Sequence, residues 1–78
     1  MKASVEFLVE PFVEGELGPH VRAAIEAFGD VGLAVEVGPF GNTVSGDATR
    51  LVSAIETAMR RSVEAGATRL TVDFRVER

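Results

Sequence analysis

The chain reads as an α+β domain of order β-α-β-β-α-β, a four-stranded antiparallel sheet with two helices on one face. Three observations predict this. Four stretches are extended, three of them with strict two-residue alternation; two stretches place apolar residues at three- and four-residue steps; and the second and third strands are joined by a connection too short for a crossover.

From Ala3 to Pro11, Val5, Phe7 and Val9 point one way and Ser4, Glu6, Leu8 and Glu10 the other, the period of a half-buried strand. Pro11 has no amide hydrogen to donate, so pairing stops there and Val13 to Gly18 form a loop. Pro19 suits the first turn of a helix, where a missing donor costs nothing, and Val21, Ala24, Ile25 and Phe28 share one face of it. Gly32 ends the helix. Gly29, inside its last turn, costs about 1 kcal/mol relative to alanine.

Leu33 to Gly38 alternates again, with Leu33, Val35 and Val37 against Ala34, Glu36 and Gly38, and Asn42 to Gly46 is extended. The intervening Gly38-Pro39-Phe40-Gly41 predicts an antiparallel hairpin. Asp47 caps the second helix by accepting from free amides of its first turn. Leu51, Ile55, Ala58 and Met59, with Ser62 or Val63, mark its apolar face up to Gly66. In the last strand Leu70, Val72, Phe74 and Val76 alternate with Thr71, Asp73, Arg75 and Glu77. Right-handed crossovers then set both helices on one side of the sheet, the ferredoxin-like arrangement. The uncovered side carries Glu6, Leu8, Glu10, Ala34, Glu36, Thr43, Ser45, Thr71, Asp73 and Arg75.

At 78 residues the chain has room for one domain, residues 1–78. A core of this size gives no more than about 3–5 kcal/mol without a staple. With no cysteine and a single histidine, disulfides, thiol nucleophiles and a structural zinc are excluded together, and a homo-oligomer is the staple that remains. The net charge of −4, with a pI near 4.8, disfavours nucleic acid. Five phenylalanines spread along the chain, without tyrosine or tryptophan, offer no platform for stacking bases. Met1 and Lys2 lead straight into the first strand, so neither a signal peptide nor a membrane span is expected, and the expected location is the cytoplasm.

Catalytic groups are scarce. His20, the only imidazole, has no serine or acid partner nearby in sequence and reads as packed or solvated. Glu6 and Glu36, placed on neighbouring strands, are a carboxylate pair for acid and base work only if burial raises one pKa; a solvated or interface-lining pair is the simpler reading. The glycines around Pro39 match neither the dinucleotide nor the P-loop spacing. No catalytic or metal residue is assigned, and no cofactor is implied. Arg60 and Arg61 favour the dipole at the end of the second helix, and Arg75 is expected to join an ion-pair network with Glu6, Glu36 and Asp73.

Two features suit binding. The hairpin Gly38 to Thr43 combines backbone-permissive residues with an amide, a hydroxyl and Phe40, a mix that orients a small heteroaromatic ligand, although the same residues also make ordinary turns. The carboxylate-rich open face suits a cation.

These features follow one another in a familiar order: a first strand ending in Pro11, the run Gly32-Leu33-Ala34-Val35-Glu36-Val37-Gly38-Pro39, the turn Asn42-Thr43-Val44-Ser45-Gly46-Asp47 into the second helix, and Glu64-Ala65-Gly66-Ala67-Thr68-Arg69-Leu70 leading toward Arg75. In this the chain resembles the small thiamine-binding (YkoF-like) family of single ferredoxin-like domains. It departs from the family at Val35, where an aromatic is common, at Ser45, where a glutamate is common, and at Met59, a histidine in some members. The resemblance implies non-catalytic binding of thiamine or its hydroxymethylpyrimidine half, as a carrier, buffer or sensor, by a dimer of dimers. It assigns Glu6 and Glu36 to charge or amino-group recognition, Asn42, Thr43 and Ser45 to hydrogen bonding, and Phe40 to packing on a ring. The alternative is a structural or regulatory module that self-assembles through its sheet without a small ligand.

Overall fold

Alternation in the first strand decides the layering. In β1 (Lys2–Glu10) Ala3, Val5, Phe7 and Val9 are buried, while Ser4, Glu6, Leu8 and Glu10 line the other side. A computed structural model describes residues 1–12, 15–39 and 41–78; Val13 and Glu14 of the expected loop, and Phe40, lie outside the described residues. The remaining elements are α1 (Pro19–Gly29), β2 (Val35–Gly38), β3 (Gly41–Asp47), α2 (Ala48–Glu64) and β4 (Arg69–Val76). All pairings are antiparallel in the order β2-β3-β1-β4, so the fold is ferredoxin-like.

The core lies between β1 and β3 on one side and the two helices on the other. Val5, Val9, Phe28, Val44 and Leu51 are among its fully buried side chains, and the rings of Phe7 and Phe28 stack with centroids 5.2 Å apart.

Both helix stops read from glycine are present. At the end of α1 the Leu33 N–H donates to Phe28 O and the Gly32 N–H to Gly29 O, each at 3.0 Å, with Gly32 at φ +78°. At the end of α2 the Ala67 N–H donates to Ser62 O (2.9 Å) and the Gly66 N–H to Val63 O (3.2 Å), with Gly66 at φ +109°. These paired bonds are Schellman closures, which require the left-handed backbone that glycine adopts without strain. The first closure accounts for one corrected boundary: β2 begins at Val35, because the amide of Leu33 is committed to α1 and its side chain is buried. Ala34, expected on the open face, is an exposed residue outside the strand.

The face of α2 also differs from the expected one. Leu51, Ala54, Ala58 and Ser62 are buried, whereas Met59 is 45% and Val63 59% exposed. Small side chains on this line let α2 pack against α1, and Ser62 is buried cheaply because its hydroxyl donates to Met59 O at 3.0 Å. Asp47 is the N-cap as expected, its Oδ2 accepting from the Arg50 N–H at 3.2 Å. Arg61, in the last turn, bonds Asp30 across the helix pair at 2.6 Å, and Arg60 pairs with Glu56 at 2.5 Å.

Candidate functional site

The hairpin between β2 and β3 is closed by Gly38 opposite Gly41, leaving only Pro39 and Phe40 between them. A Cβ on Gly38 would stand 3.0 Å from Gly41 O, tighter than most side chains accept, so a larger residue there would have to displace the facing strand by a few tenths of an ångström. The turn, the end of β1, the loop after it and the start of α1 together enclose a cavity of about 360 Å³. Leu8, Val9, Phe12, Leu17, Val21, Val37 and Pro39 make its walls apolar, and Asn42, Glu10 and Glu16 supply the polar side chains. A concave, mainly apolar volume of this size with a few polar groups suits a small heterocycle.

His20, next to the lining residue Val21, ties the start of α1 to the segment after β1. It is buried at the start of α1, and its Nε2–H donates to Pro11 O at 2.6 Å, which sets the tautomer because a carbonyl can only accept. A Cβ on Gly18 would lie 2.5 Å from Cε1 of that ring, so Gly18 is what lets the imidazole fold back and tie α1 to the end of β1. The lone histidine is therefore packed, and it acts as a brace.

Asn42 stands opposite Phe7 and shares its face, the one toward the helices. It is buried, and its Nδ2 donates to Phe7 O at 3.3 Å. Asn42 is one of the residues lining the cavity, and among the described residues no protein donor reaches its Oδ1.

The other face presents a row across all four strands. Glu36 pairs with Thr43, Thr43 with Glu6, and Glu6 with Asp73, and directly opposite residues share a face. This corrects one expectation: Glu6 and Glu36 are not on neighbouring strands. Because β3 lies between β1 and β2, Thr43 separates them, at about 9–10 Å for two strand spacings. Arg75 likewise reaches only part of its expected network. Its guanidinium makes two bonds to Asp73, at 3.1 and 3.2 Å, while Glu36 is three strands away. The Arg75 hydrogen bonds and charge hold the Asp73 carboxyl below its ordinary pKa; the reciprocal bond, and to a smaller degree Glu6, hold Arg75 above its own.

Glu6, Leu8, Gly41, Thr71 and Asp73 line a shallow depression of about 240 Å³ on this face. Leu8 and Gly41 border both it and the hairpin cavity, so the two concavities meet at the end of the sheet.

The six expected site residues therefore divide. Asn42 faces the cavity; Glu6, Thr43 and Glu36 form one row of the open face; Ser45 sits opposite Ser4, about 7 Å farther along β3 from the hairpin; and Phe40 lies outside the described residues. Sequence reasoning missed Glu10, Glu16, Leu17 and Val21. They join the cavity through the packing of α1 beneath the hairpin, a tertiary contact with no local signal. Glu10 is partly neutralised by Arg69, 3.5 Å away. Among the described residues there is no group of three or more histidine and carboxylate side chains placed to hold a metal, and no helix is long and apolar enough to cross a membrane.

The profile of a protein family described as "thiamine-binding protein" matches residues 5–78. Among solved structures, the chain is similar to a Thermotoga maritima protein described provisionally as one of thiamine biosynthesis or salvage. The two are 30% identical with a TM-score of 0.74, over 99% of this chain and 85% of that one. A Streptococcus pneumoniae protein is 22% identical with a TM-score of 0.76, over 100% of this chain and 89% of that one. A Bacillus cereus domain of unknown function is 24% identical with a TM-score of 0.70, over 99% and 75%. Both of these share the fold. No curated protein matches the chain.

Proposed function

The chain belongs to the thiamine-binding protein family, and from that membership we propose that it binds thiamine or its hydroxymethylpyrimidine half without transforming it, as a carrier, buffer or sensor. The observation that carries this reading is the apolar hairpin cavity with one buried amide, whose free Oδ1 accepts from an exocyclic amino group. Thiamine has two rings, an aminopyrimidine and a cationic thiazolium, joined by one methylene. The pyrimidine occupies the cavity beside Asn42. The thiazolium emerges past Leu8 and Gly41 toward Glu6, where the carboxylate row of Glu36, Glu6 and Asp73 attracts positive charge. Thr43 and Ser45 add hydroxyls to that face, and Phe40, next to the cavity in sequence, supplies the ring contact. His20 is committed to Pro11, so nothing in this arrangement activates a nucleophile.

The same reading takes residues 1–78 as one domain, located in the cytoplasm and assembled as a homo-oligomer. Assembly without a ligand is the second reading, favoured by the apolar surface left uncovered at Met59 and Val72.

Thermal unfolding separates the two. Ligand at one hundred times its Kd raises the Tm of a domain this small by roughly 10 °C or more, whereas a pure assembly module melts unchanged. Thiamine recovered unaltered after prolonged incubation supports binding without chemistry; a cleaved or modified product overturns it.

A further inference from the structure

Among the described residues, the hairpin cavity and the depression beside it are lined by four carboxylates, Glu10 and Glu16 in the one and Glu6 and Asp73 in the other, and by no lysine or arginine. The sequence holds eight such cations, and the fold sets six of them away from the hairpin end of the open face and pairs the other two with carboxylates. Arg22 is on α1 and Arg50, Arg60 and Arg61 are on α2, in the helix layer across the sheet. Lys2 and Arg78 are at the far end of the sheet, where the Glu77 N–H donates to Lys2 O at 2.9 Å, and Lys2 is about 13 Å from Glu6 along β1. Arg69 pairs with Glu10 at 3.5 Å, and Arg75 is held by its two hydrogen bonds to Asp73, about 7 Å farther from the hairpin end than Asp73 itself. The start of α1 does not compensate: Pro19 has no amide hydrogen, and the Val21 and Arg22 amides both donate to Gly18 O, at 3.1 and 3.0 Å.

We propose that this charge pattern selects by phosphorylation state: the site takes thiamine and hydroxymethylpyrimidine as free alcohols and rejects their phosphate esters. This rests on the binding reading of the proposed function and adds the ligand class that is refused.

The position of the phosphate follows from the ligands' own chemistry. Thiamine is esterified on the hydroxyethyl arm of its thiazolium, and hydroxymethylpyrimidine on the carbon that joins the two rings in thiamine. With the pyrimidine beside Asn42, either phosphate is on the arm that leaves past Leu8 and Gly41 toward Glu6 and Asp73. A thiazolium is attracted there. A phosphate monoester, with about −1.5 to −2 charges at neutral pH, meets carboxylates and exchanges its water for no unpaired cation.

Calorimetric titration of the whole chain with thiamine, its monophosphate and its diphosphate, at low and high salt, tests this. The monophosphate is expected to bind at least tenfold more weakly than thiamine and the diphosphate more weakly again. Added salt narrows the gap from both sides, weakening thiamine and strengthening the esters. Glu6→Lys, at an exposed strand position, is expected to bring the diphosphate level with thiamine or ahead of it. Asp73→Asn, which also releases Arg75, is expected to narrow the gap severalfold. Circular dichroism verifies that both variants fold. A diphosphate that binds wild type as tightly as thiamine, or a gap that neither salt nor either variant moves, overturns the exclusion while leaving the binding reading standing. A folded wild-type chain that binds neither thiamine nor hydroxymethylpyrimidine overturns both.

Discussion

Asn42 Nδ2–H donates to the carbonyl oxygen of Phe7 at 3.3 Å, which ties to β1 the one buried amide side chain that lines the hairpin cavity. Replacing Asn42 with leucine keeps the volume and removes the acceptor. The expected outcome is a loss of about tenfold in affinity for both thiamine and hydroxymethylpyrimidine, the worth of one hydrogen bond in a buried site. Calorimetry on the folded variant reads this, and equal affinity for wild type and Asn42→Leu would remove Asn42 from the site.

Glu6→Gln separates the two rings. Glu6 lies on the open face with its charge exposed, so neutralising it is expected to weaken thiamine by about three- to fivefold and leave the uncharged pyrimidine unaffected. The wild-type affinity for thiamine falls with added salt, and that dependence flattens in the variant. Glu36→Gln has the smaller effect, since Thr43 and a full strand separate it from Glu6.

Gly18→Ala tests the brace at the cavity wall. The new methyl would meet the His20 ring at 2.5 Å and push it away from Pro11 O, lowering Tm by on the order of 5 °C or more and weakening ligand binding. Gly29→Ala is the control: nothing lies within 4 Å of its added methyl, and the gain in helix propensity raises Tm by a few degrees. Variants that melt alike would show that the histidine contact contributes nothing.

Asp47, like Asp73, contributes to the acid limb of stability. Its carboxyl is held below the ordinary value of 3.8, first by the hydrogen bond from the Arg50 amide and then by the one from the N-terminal ammonium. A folded-state pKa that is depressed means the contribution is fully present above the unfolded value and is lost as pH falls from about there through the folded one. Asp47→Asn keeps a capping oxygen but cannot titrate, so melting curves from pH 5 downward are expected to fall less steeply than those of wild type. Parallel curves would contradict this role.

The fold was legible because its signals are local. Two-residue alternation, three- and four-residue steps, and the glycines at 32 and 66 each report on a few neighbouring residues, and the elements come in the order the pattern puts them, although the buried face of α2 runs through Ala54 and Ser62 and leaves Met59 exposed. The start of β2 was not legible, because a Schellman closure had claimed the amide of Leu33. The hairpin could be read as a binding feature, and the inward direction of Asn42 follows from its shared parity with buried Val44. The cavity itself could not. It is lined by residues from the end of β1, the loop after it, the start of α1 and the hairpin, segments far apart in the chain, and the strand order that sets β3 between Glu6 and Glu36 is likewise not written in any local stretch of sequence.

Calorimetric titration of thiamine into the folded wild-type chain, repeated with Asn42→Leu, bears most directly on the central claim. Saturable heat with one ligand per hairpin cavity, weakened about tenfold in the variant, is the predicted result. A folded wild-type protein that gives no heat with either thiamine or hydroxymethylpyrimidine would contradict it.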